Sequence, residues 1–540
     1  MQITTKLNHL SSNFIEDYLT SLGITNIKRY LKPTKQSFEN PNHYEFINTV
    51  IKVFNNYIQT DIGIVIDSDM DGACSAALIY SFIKTLNPNA SIHIFYHKGK
   101  EHGIKDVLDE IIESDICLLI VPDAGTNDVE ECARLKAENI EVIILDHHLQ
   151  EKQNNYAYII NNQQPTVENK ALSGTGVVDK FVRKYCTTYD IKYPDYTDLV
   201  AVSIVSDICD LITLENRAYV YYGLNNITNP FLSFLFEKLC KRRGYTPEAI
   251  SWDISPLANA LARSNEQEDK TLFFDALVGK ISPEEALKKL RKIKRIQDEE
   301  VKSVVDEIES DLNVSSKVIV GFTEPENMNF IGLIANKITG KYNKPTILLR
   351  DTGYGSWSGS LRSPVPLATQ INNSGFAKAQ GHEEACGVMV KKNNFDSFVK
   401  WLDTLNLSEK PSTEVTAKVN PKDITLDICQ VITDNKQLWG HSIPAPMFYI
   451  KTKIKKDNVL VFEKSSTTLK LVIDGLNCIK FFAKQSDIEA FQKYDKFEVE
   501  LIVGELSINE YEGIQTPQCI IQDYEIYPIE KKIESWKENF

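Results

Sequence analysis

The sequence predicts a multidomain α/β protein whose first large domain is built on a doubly wound parallel sheet. The chain has 540 residues, which is too long for a single hydrophobic core. From residue 61 to residue 161, apolar strands alternate with helical stretches, as in repeated βαβ units. These strands are continuous apolar runs, which a parallel sheet covered by helices on both faces requires.

Four predicted strands define this first sheet. A segment with helical periodicity follows the first of them, at residues 72–86, and similar segments follow the second and third. Further helices are predicted between residues 174 and 279. The predicted strands cover residues 62–67, 91–96, 115–123 and 141–146.

A long helix is predicted over residues 282–312. Ser282 and Glu285 have the spacing of a capping box, and Pro283 stands at the first helical position, where proline is favoured. The apolar residues of this stretch recur at helical spacing and form one face. They are Leu290, Ile293, Val301, Val304, Ile308 and Leu312.

Two further regions complete the prediction. A second α/β unit begins with strands at residues 317–322 and 345–351, and a later region reads as all β, most clearly at residues 496–506. The predicted domains are an N-terminal helical extension (1–60), a large α/β domain (61–281), the connecting helix (282–312), a second α/β domain (313–410) and a C-terminal all-β domain (411–540).

The composition is that of a globular protein in a reducing compartment. The ten cysteines are scattered without a CxxC pair, and no apolar run is long enough for a signal peptide or a membrane span. We therefore expect a cytoplasmic protein with no membrane partner. The formal net charge of −14 argues against a nucleic-acid partner only weakly, because total charge is not the local field and a metal site adds carboxylates.

Acidic and imidazole side chains follow the ends of three predicted strands and one later helix. In a doubly wound sheet the carboxyl ends of the strands meet at one edge, where ligands bind. One aspartate after a strand is usually a turn or a helix cap. Several converging carboxylates repel one another, and divalent cations remove that cost. The residues of this predicted site are Asp67, Asp69, Asp71, Asp123, Asp146, His147, His148 and Asp207.

The mixture of ligands predicts the kind of metal. Carboxylates with one or two imidazoles suit Mn²⁺ better than Mg²⁺, which rarely takes nitrogen ligands. There are too many ligands for one ion. We therefore expect two divalent cations that share a bridging carboxylate, Mn²⁺ first and Mg²⁺ as the alternative.

The motifs around these residues resemble those of the DHH phosphoesterase family. "DSDMDG" (67–72), "VPDAG" (121–125), "LDHH" (145–148) and "VSIVSDICDL" (202–211) occur in the order and spacing of its four motifs. Further segments resemble the RecJ-like branch of that family, its DHH-associated domain and its OB-fold domain. These segments are residues 172–181, 206–224, 252–265, 330–349, 358–363, 380–387 and 504–526.

The resemblance implies roles for individual residues. Asp69, Asp71, Asp123, His147 and Asp207 would ligate two metal ions, with Asp123 as the bridge, and Asp67 would be a ligand or a neighbour of one. Asp146, His148, Arg362 and His382 would form the catalytic set around the scissile phosphate. Ser363, Asn259, Arg263 and Gly381 would bind the substrate, although packing at the domain junction is an equal alternative for Asn259 and Arg263.

The resemblance also implies a function. It is a metal-dependent 5′-to-3′ exonuclease that hydrolyses single-stranded DNA in repair, recombination or replication, with a single-strand-binding protein or a helicase as a protein partner. The alternatives are a phosphodiesterase for short oligonucleotides or cyclic dinucleotides and a non-catalytic replication scaffold. In the OB-like domain, aromatic residues could stack on bases or fill the barrel core. They are Trp439, Phe448, Tyr449, Phe481 and Phe482.

Overall fold

A computed structural model describes residues 1–11, 13–97, 102–264, 266–325, 327–407, 412–463 and 466–529. The predicted boundary at residues 410 and 411 and the last part of the predicted C-terminal domain lie outside these ranges. The described part of the N-terminal segment, residues 1–60, contains one short strand, three α-helices and two 3₁₀ turns. The strand and the α-helices are β1 (Ile3–Thr5), α1 (Phe14–Ser21), α2 (Ile27–Leu31) and α3 (Ile47–Tyr57).

The first large sheet is parallel throughout and has the strand order β3-β2-β4-β5-β6. The four predicted strands are confirmed, and a fifth, shorter strand extends the sheet beyond β5. The order reverses between β2 and β4, and such a reversal opens a ligand crevice at the carboxyl ends of the strands. The elements are β2 (Ile62–Ile66), α4 (Met70–Leu86), β3 (Ile92–Tyr96), α5 (Leu108–Ile112), β4 (Leu118–Pro122), α6 (Val129–Ala137), β5 (Glu141–Asp146), β6 (Tyr158–Asn161) and α7 (Gly174–Thr188).

Helices complete this domain and lead into the connecting helix α14. Ser282 caps α14, because its Oγ accepts a hydrogen bond from the backbone N–H of Glu285 at 3.3 Å. The α-helix ends at Ile308, and one 3₁₀ turn, Glu309–Asp311, continues it. The helices are α8 (Thr197–Ser206), α9 (Leu214–Asn225), α10 (Pro230–Leu239), α11 (Pro247–Ala249), α12 (Ser255–Ala262), α13 (Leu272–Leu277) and α14 (Pro283–Ile308), with a π-helical turn at Ile250–Ile254.

The second α/β unit has a five-stranded mixed sheet in the order β10-β11-β9-β8-β7. Only the β7–β8 pair is parallel. The elements are β7 (Ile319–Phe322), α15 (Ile331–Tyr342), β8 (Thr346–Asp351), β9 (Ser356–Arg362), α16 (Ala368–Ser374), β10 (Ala377–Gly381), β11 (Ala385–Lys391) and α17 (Phe395–Thr404).

The C-terminal region is a seven-stranded sheet in the order β13-β14-β18-β19-β17-β16-β15. The predicted β architecture is confirmed, and two short helices that the period-two pattern does not indicate are added to it. The elements are β12 (Thr413–Val415), β13 (Ala417–Val419), α18 (Leu426–Asp434), β14 (Phe448–Lys455), β15 (Val459–Glu463), β16 (Thr467–Ile473), β17 (Leu476–Phe481), α19 (Gln485–Gln492), β18 (Lys496–Tyr511) and β19 (Ile514–Pro528).

The N-terminal segment joins the first domain to the C-terminal domain. Strand β1 pairs in parallel with β12, and the Phe14 ring lies 6.4 Å from the Phe448 ring. The hydroxyl of Tyr30 donates a hydrogen bond to the carbonyl of Leu211 at 2.7 Å. One continuous hydrophobic core therefore includes residues from all three regions. Among the described residues, no helix is both long and apolar enough to cross a bilayer.

Helix α14 is anchored in two different cores. Leu290, in its first half, packs in the core of the first domain, whereas Val301, in its second half, packs with Ile319 of the second. Helix α14 is therefore packed against both domains and fixes the position of one relative to the other.

We expect Leu290→Ala to destabilise the protein by about 3 kcal/mol, because removal of a fully buried leucine leaves a cavity. Urea denaturation followed by tryptophan fluorescence measures the shift. Lys289→Ala, at the exposed neighbouring position of the same helix, is the control. Equal urea midpoints for the two variants would contradict the packing of this helix in the core of the first domain.

Candidate metal centre and substrate cleft

The turn between β2 and α4 carries three of the predicted aspartates. Asp67 directly follows β2 and is 3% exposed, and Asp71 lies in the first turn of α4. Asp69 is the N-cap of α4, and its Oδ1 accepts a hydrogen bond from the backbone N–H of Gly72 at 3.0 Å. A Cβ atom on Gly72 would lie 2.5 Å from the Cβ of Asp67, so glycine is needed for this close turn.

Asp71 is held by hydrogen-bond donors from two other helices. At the N-terminus of α7, the backbone N–H groups of Gly174 and Thr175 donate to its two carboxylate oxygens at 2.8 and 2.9 Å. The hydroxyl groups of Thr175 and Ser203 donate to its Oδ1 at 2.6 and 2.5 Å. A helix N-terminus and two hydroxyl groups thus stabilise a carboxylate that is 1% exposed.

Asp123 lies at the end of β4 with a left-handed backbone, at a φ of 68°. Its buried Oδ1 has no hydrogen-bond partner within the described residues and lies 3.3 Å from the Nε2 of His147. Burial and the charges of Asp71 and Asp69 raise its pKa well above the usual range. A Cβ atom on Gly174 would lie 2.1 Å from this same Oδ1, so the site leaves room only for glycine there.

Asp146, at the end of β5, fixes the position of His148. Its Oδ1 accepts hydrogen bonds from the Nδ1 of His148 at 2.8 Å and from the backbone N–H of His147 at 2.7 Å. Burial opposes the ionisation of Asp146, but the hydrogen bond and charge of His148 outweigh it and hold the pKa of Asp146 below its usual range. The same hydrogen bond raises the pKa of His148 to about 9. In the metal-free protein this imidazole is therefore protonated at neutral pH.

Asp207, at the end of α8, completes the cluster. The Nε2 atom of His147 lies 3.9 Å from the Oδ2 of Asp207 and 4.0 Å from the Oδ2 of Asp71. Asp123 and His147 each belong to two groups of side chains whose ligand atoms lie within 4.8 Å of one another. The three groups are Asp67, Asp69 and Asp123; Asp71, His147 and Asp207; and Asp123, Asp146, His147 and His148.

The chemistry of this cluster fits divalent cations. Burial, followed by the charges of Asp67 and Asp71, raises the pKa of Asp69 to about 7. Burial and the charge of Asp71 also raise the pKa of Asp207. The Oδ1 atoms of Asp67 and Asp123 are buried without a hydrogen-bond donor among the described residues. Oxygen-rich groups with unsatisfied atoms and an imidazole suit cations such as Mn²⁺.

Two histidines near the site are absent from the sequence prediction. The Nδ1 atom of His102 donates a hydrogen bond to the Oδ2 of Asp67 at 2.7 Å. The buried Nε2 atom of His97 lies 3.9 Å from the Oδ1 of Asp67, and its Nδ1 atom is hydrogen-bonded to Asp106. His97 directly follows β3, so the strand-end rule that located the aspartates could also have located this histidine.

Two arginines from different domains lie near enough for their charges to interact. Arg362 ends β9 of the second domain, and Arg263 follows α12 of the first. Burial lowers the pKa of both guanidinium groups, and the charge of Arg362 lowers that of Arg263 further. Neither makes an ion pair within the described part of the chain, and their hydrogen bonds at 2.7 Å go to backbone carbonyls. Two adjacent cations without a carboxylate form a favourable environment for an anion such as phosphate.

Among the described residues, no recorded contact links the other predicted substrate-binding residues to the carboxylate cluster. The hydroxyl of Ser363 donates to the carbonyl of Val365 at 2.5 Å. Gly381 ends β10, and the exposed His382 lies in the turn before β11. Asn259 lines a cavity of about 640 Å³ between the first domain and the C-terminal domain.

This cavity begins beside the cluster and extends to the C-terminal sheet. Ile208 and Trp252 line its first-domain wall, and Gln522 lies on the opposite wall. Ile208 follows Asp207 directly, is 63% exposed and has a φ of 55°, an uncommon backbone conformation for a β-branched residue. The cavity therefore lies between the residues that flank Asp207 and the C-terminal domain.

The candidate base-stacking aromatics divide into two sets. Trp439, Phe448 and Tyr449 are buried in the core, which excludes them as open platforms. Phe481 and Phe482 are 47% and 79% exposed at the end of β17. The first three residues therefore fill the core of the domain, which is one of the two predicted roles. The exposed Phe481 and Phe482 are the remaining candidates for base stacking.

The comparisons with known proteins agree with this architecture. Residues 61–204 match the model of the DHH family N-terminal domain, and residues 415–523 match that of the RecJ OB domain. A candidate SPbeta prophage-derived single-strand DNA-specific exonuclease of Bacillus subtilis is 27% identical over 91% of this chain and 92% of its own length. The single-stranded-DNA-specific exonuclease RecJ of Haemophilus influenzae is 25% identical over 97% of this chain and 98% of its own.

Solved structures share the fold. RecJ of Thermus thermophilus in complex with Mn²⁺ matches 97% of this chain and 79% of its own with a TM-score of 0.73 and 18% identity. The same protein in complex with Mg²⁺ gives a TM-score of 0.69. The chain therefore contains one segment similar to the DHH family N-terminal domain and one similar to the RecJ OB domain. It is RecJ-like along nearly its whole length, as the sequence motifs predict.

The raised pKa of Asp69 predicts a pH-dependent stability of the metal-free protein. The pKa of Asp69 is about 7 in the folded state and ~4 in the unfolded state. Between these two pH values the folded state binds a proton that the unfolded state lacks. Acidification from pH 7 to pH ~4 therefore increases the contribution of Asp69 to the free energy of unfolding. In EDTA, Asp69→Asn should therefore melt at a higher temperature than the wild type at pH 8, and this advantage should shrink toward pH 5. Thermal unfolding measures the difference, and an advantage that grows on acidification would contradict the prediction.

Proposed function

We propose that the protein is a metal-dependent exonuclease that degrades single-stranded DNA in the 5′-to-3′ direction during repair, recombination or replication. The observation that carries the proposal is a buried carboxylate and imidazole cluster at the switch point of a parallel sheet. A C-terminal OB domain on the same chain favours a strand of nucleic acid as the substrate.

The proposed metal ligands occupy two of the groups described above. Asp67, Asp69 and Asp123 would hold one cation, and Asp71, His147 and Asp207 the other, with Asp123 next to both. Bound divalent cations would lower the pKa of water and neutralise charge on the scissile phosphate. Mn²⁺ is the proposed ion because an imidazole belongs to the set, and Mg²⁺ is the alternative.

His148 and Asp146 are proposed to act together at the scissile phosphate. Asp146 occupies the Nδ1 of His148, so its Nε2–H is the atom that can reach a phosphate oxygen. The hydrogen bond to Asp146 raises the pKa of His148, which favours the charged imidazolium as the donor to that oxygen. Asp146 thus acts through His148 by fixing its orientation.

The second domain is proposed to hold the substrate from the opposite side of the cleft. Arg362 and Arg263 would share the charge of one phosphate, and the cost of placing two cations together would fall when that anion binds. Asn259, Ser363, Gly381 and His382 are proposed to line the same cleft. Helix α14 would hold the first and second domains at a fixed distance from each other.

The C-terminal domain is proposed to guide the uncut strand. The cavity beside Asp207 reaches this domain, and the exposed Phe481 and Phe482 are candidate stacking platforms there. Residues 448–484 contain eight lysines and three acidic residues, in contrast to the net charge of −14 for the chain. This local positive charge would attract phosphates although the whole protein is acidic.

Two rival functions and the cellular setting remain proposals to separate by experiment. A phosphodiesterase for short oligonucleotides or cyclic dinucleotides would use the same cluster without the C-terminal domain, and a replication scaffold would not need the carboxylates. We propose a cytoplasmic location, because the ten cysteines are free thiols, and a single-strand-binding protein or a helicase as partner.

The deciding experiment incubates the protein and Mn²⁺ with 5′-labelled single-stranded DNA, duplex DNA and a dinucleotide. We expect mononucleotides released from the 5′ end of the single strand, little cleavage of the duplex, and no reaction in excess chelator. Preferred cleavage of the dinucleotide would favour the small-substrate alternative. No cleavage with intact Mn²⁺ binding would favour the scaffold.

Arg362→Ala should lower kcat/KM for single-stranded DNA by about 100-fold, because one partner of a close charge pair contributes ~2–5 kcal/mol. Initial rates at several DNA concentrations measure this. Arg350→Ala, on the neighbouring strand β8, is the control for loss of a positive charge from the same sheet. Equal kinetics for the two variants would remove Arg362 from the substrate site.

Phe481→Ala or Phe482→Ala should weaken binding of a long single strand by about 5- to 100-fold, the equivalent of ~1–3 kcal/mol of base stacking. Cleavage of a dinucleotide should be unchanged, because these residues lie outside the metal cluster. Tyr511→Ala, also exposed on the C-terminal sheet, is the control. Point variants are required because the C-terminal domain shares its core with the N-terminal segment, so its deletion would expose that core. Unchanged affinity in both phenylalanine variants would reject the guide role.

A further inference from the structure

Two aspartate–histidine pairs of the same construction belong to the neighbourhood of the carboxylate cluster. In the first, the Nδ1 of His148 bonds to Asp146 at 2.8 Å. In the second, the Nδ1 of His102 bonds to Asp67 at 2.7 Å. Both aspartates are buried, at 1% and 3% exposure, whereas the two imidazole side chains are about half exposed. In each pair a buried carboxylate therefore fixes the orientation of an imidazole ring that is exposed to solvent.

The two rings lie close enough to act on the same ligand. Their centroids are 6.5 Å apart, and their planes are inclined at 52°. With Nδ1 bound to Asp67, the free ring nitrogen of His102 is Nε2, and it makes no hydrogen bond within the described part of the chain. Because a hydrogen bond to a ring nitrogen spans ~2.7–3.2 Å, an anion with several oxygens can bridge two rings at this separation.

A purely structural role explains His102 less well. Its side chain is 58% exposed, so it contributes little to packing, and Asp67 already lies beside the buried ring of His97. An exposed imidazole fixed by a buried carboxylate is instead a donor in a defined orientation, and this arrangement lowers the entropic cost of binding an anion.

We propose that His102 is a second phosphate-binding imidazole, which together with His148 contacts the oxygens of a phosphodiester at the reaction centre. The proposal rests on the proposed function for the identity of the polymer, but not for the chemistry of the ligand, which is a phosphate oxyanion. In its cationic form, in which both ring nitrogens carry a proton, His102 donates through Nε2, and Asp67 positions it through Nδ1.

Three substitutions at His102 separate these two nitrogens. His102→Asn retains an N–H donor near the position of Nδ1 and loses the one at Nε2. His102→Gln places its N–H donor near the position of Nε2, and His102→Ala removes both. His93→Ala, at a partly exposed histidine on β3, is the matched control. For each protein, calorimetry measures Mn²⁺ affinity and then the affinity of the Mn²⁺-loaded protein for inorganic phosphate, and kinetics on single-stranded DNA give kcat and KM.

We expect His102→Asn and His102→Ala to lose about tenfold or more in phosphate affinity and up to about 100-fold in kcat/KM, since a positioned donor to an oxyanion is worth ~10²-fold or more. His102→Gln should recover a measurable part of both losses. Mn²⁺ affinity should stay at the wild-type value in His102→Asn, and His93→Ala should match the wild type throughout.

Wild-type phosphate affinity and kinetics in His102→Asn would overturn the proposal, because His102 would then only position Asp67. An equal loss of Mn²⁺ affinity in all three variants would overturn it as well, in favour of a role in metal binding. Phosphate binding keeps the result independent of the proposed function. If the wild type cleaves no DNA but phosphate affinity follows the expected order, the exonuclease assignment fails and the role of His102 stands.

Discussion

The repulsion among buried carboxylates at the switch point of the first sheet is the constraint on which the rest of the structure depends. Asp67, Asp71 and Asp123 are each at most 3% exposed; Asp67 and Asp123 follow adjacent strands, and Asp71 lies in the first turn of α4. The fold accommodates them with glycines that allow close approach and with donors from the N-terminus of α7. Atoms that remain without a donor define where cations would bind.

The same constraint explains why the protein needs several rigid connections. Helix α14 packs into the cores of both domains and so fixes the position of the second domain relative to the first. The N-terminal segment has a comparable role at the other end, where β1 and Phe14 pack on the C-terminal domain. The first domain, the second domain and the C-terminal domain are therefore parts of one packed assembly.

The sequence predicts the cluster because strand ends are a local pattern, whereas other features depend on tertiary packing. Strands β2, β4 and β5 and their aspartates are read from apolar runs followed by charges. His102 follows no strand directly, and its importance comes from the hydrogen bond to Asp67. Burial of Trp439 against Tyr18 requires a contact across more than 400 residues, which no periodicity reveals. The proximity of Arg263 and Arg362 likewise depends on how two domains pack together.

Titration of the metal-free protein with Mn²⁺ tests the central claim most directly. Calorimetry and the paramagnetic resonance signal of free Mn²⁺ would give the number of bound ions, and the account predicts two per chain with proton release on binding. Asp123→Asn should lose tight binding of both ions, because Asp123 lies beside both proposed sites. Binding of no ion by the wild type, or two ions bound with unchanged affinity in Asp123→Asn, would contradict the account.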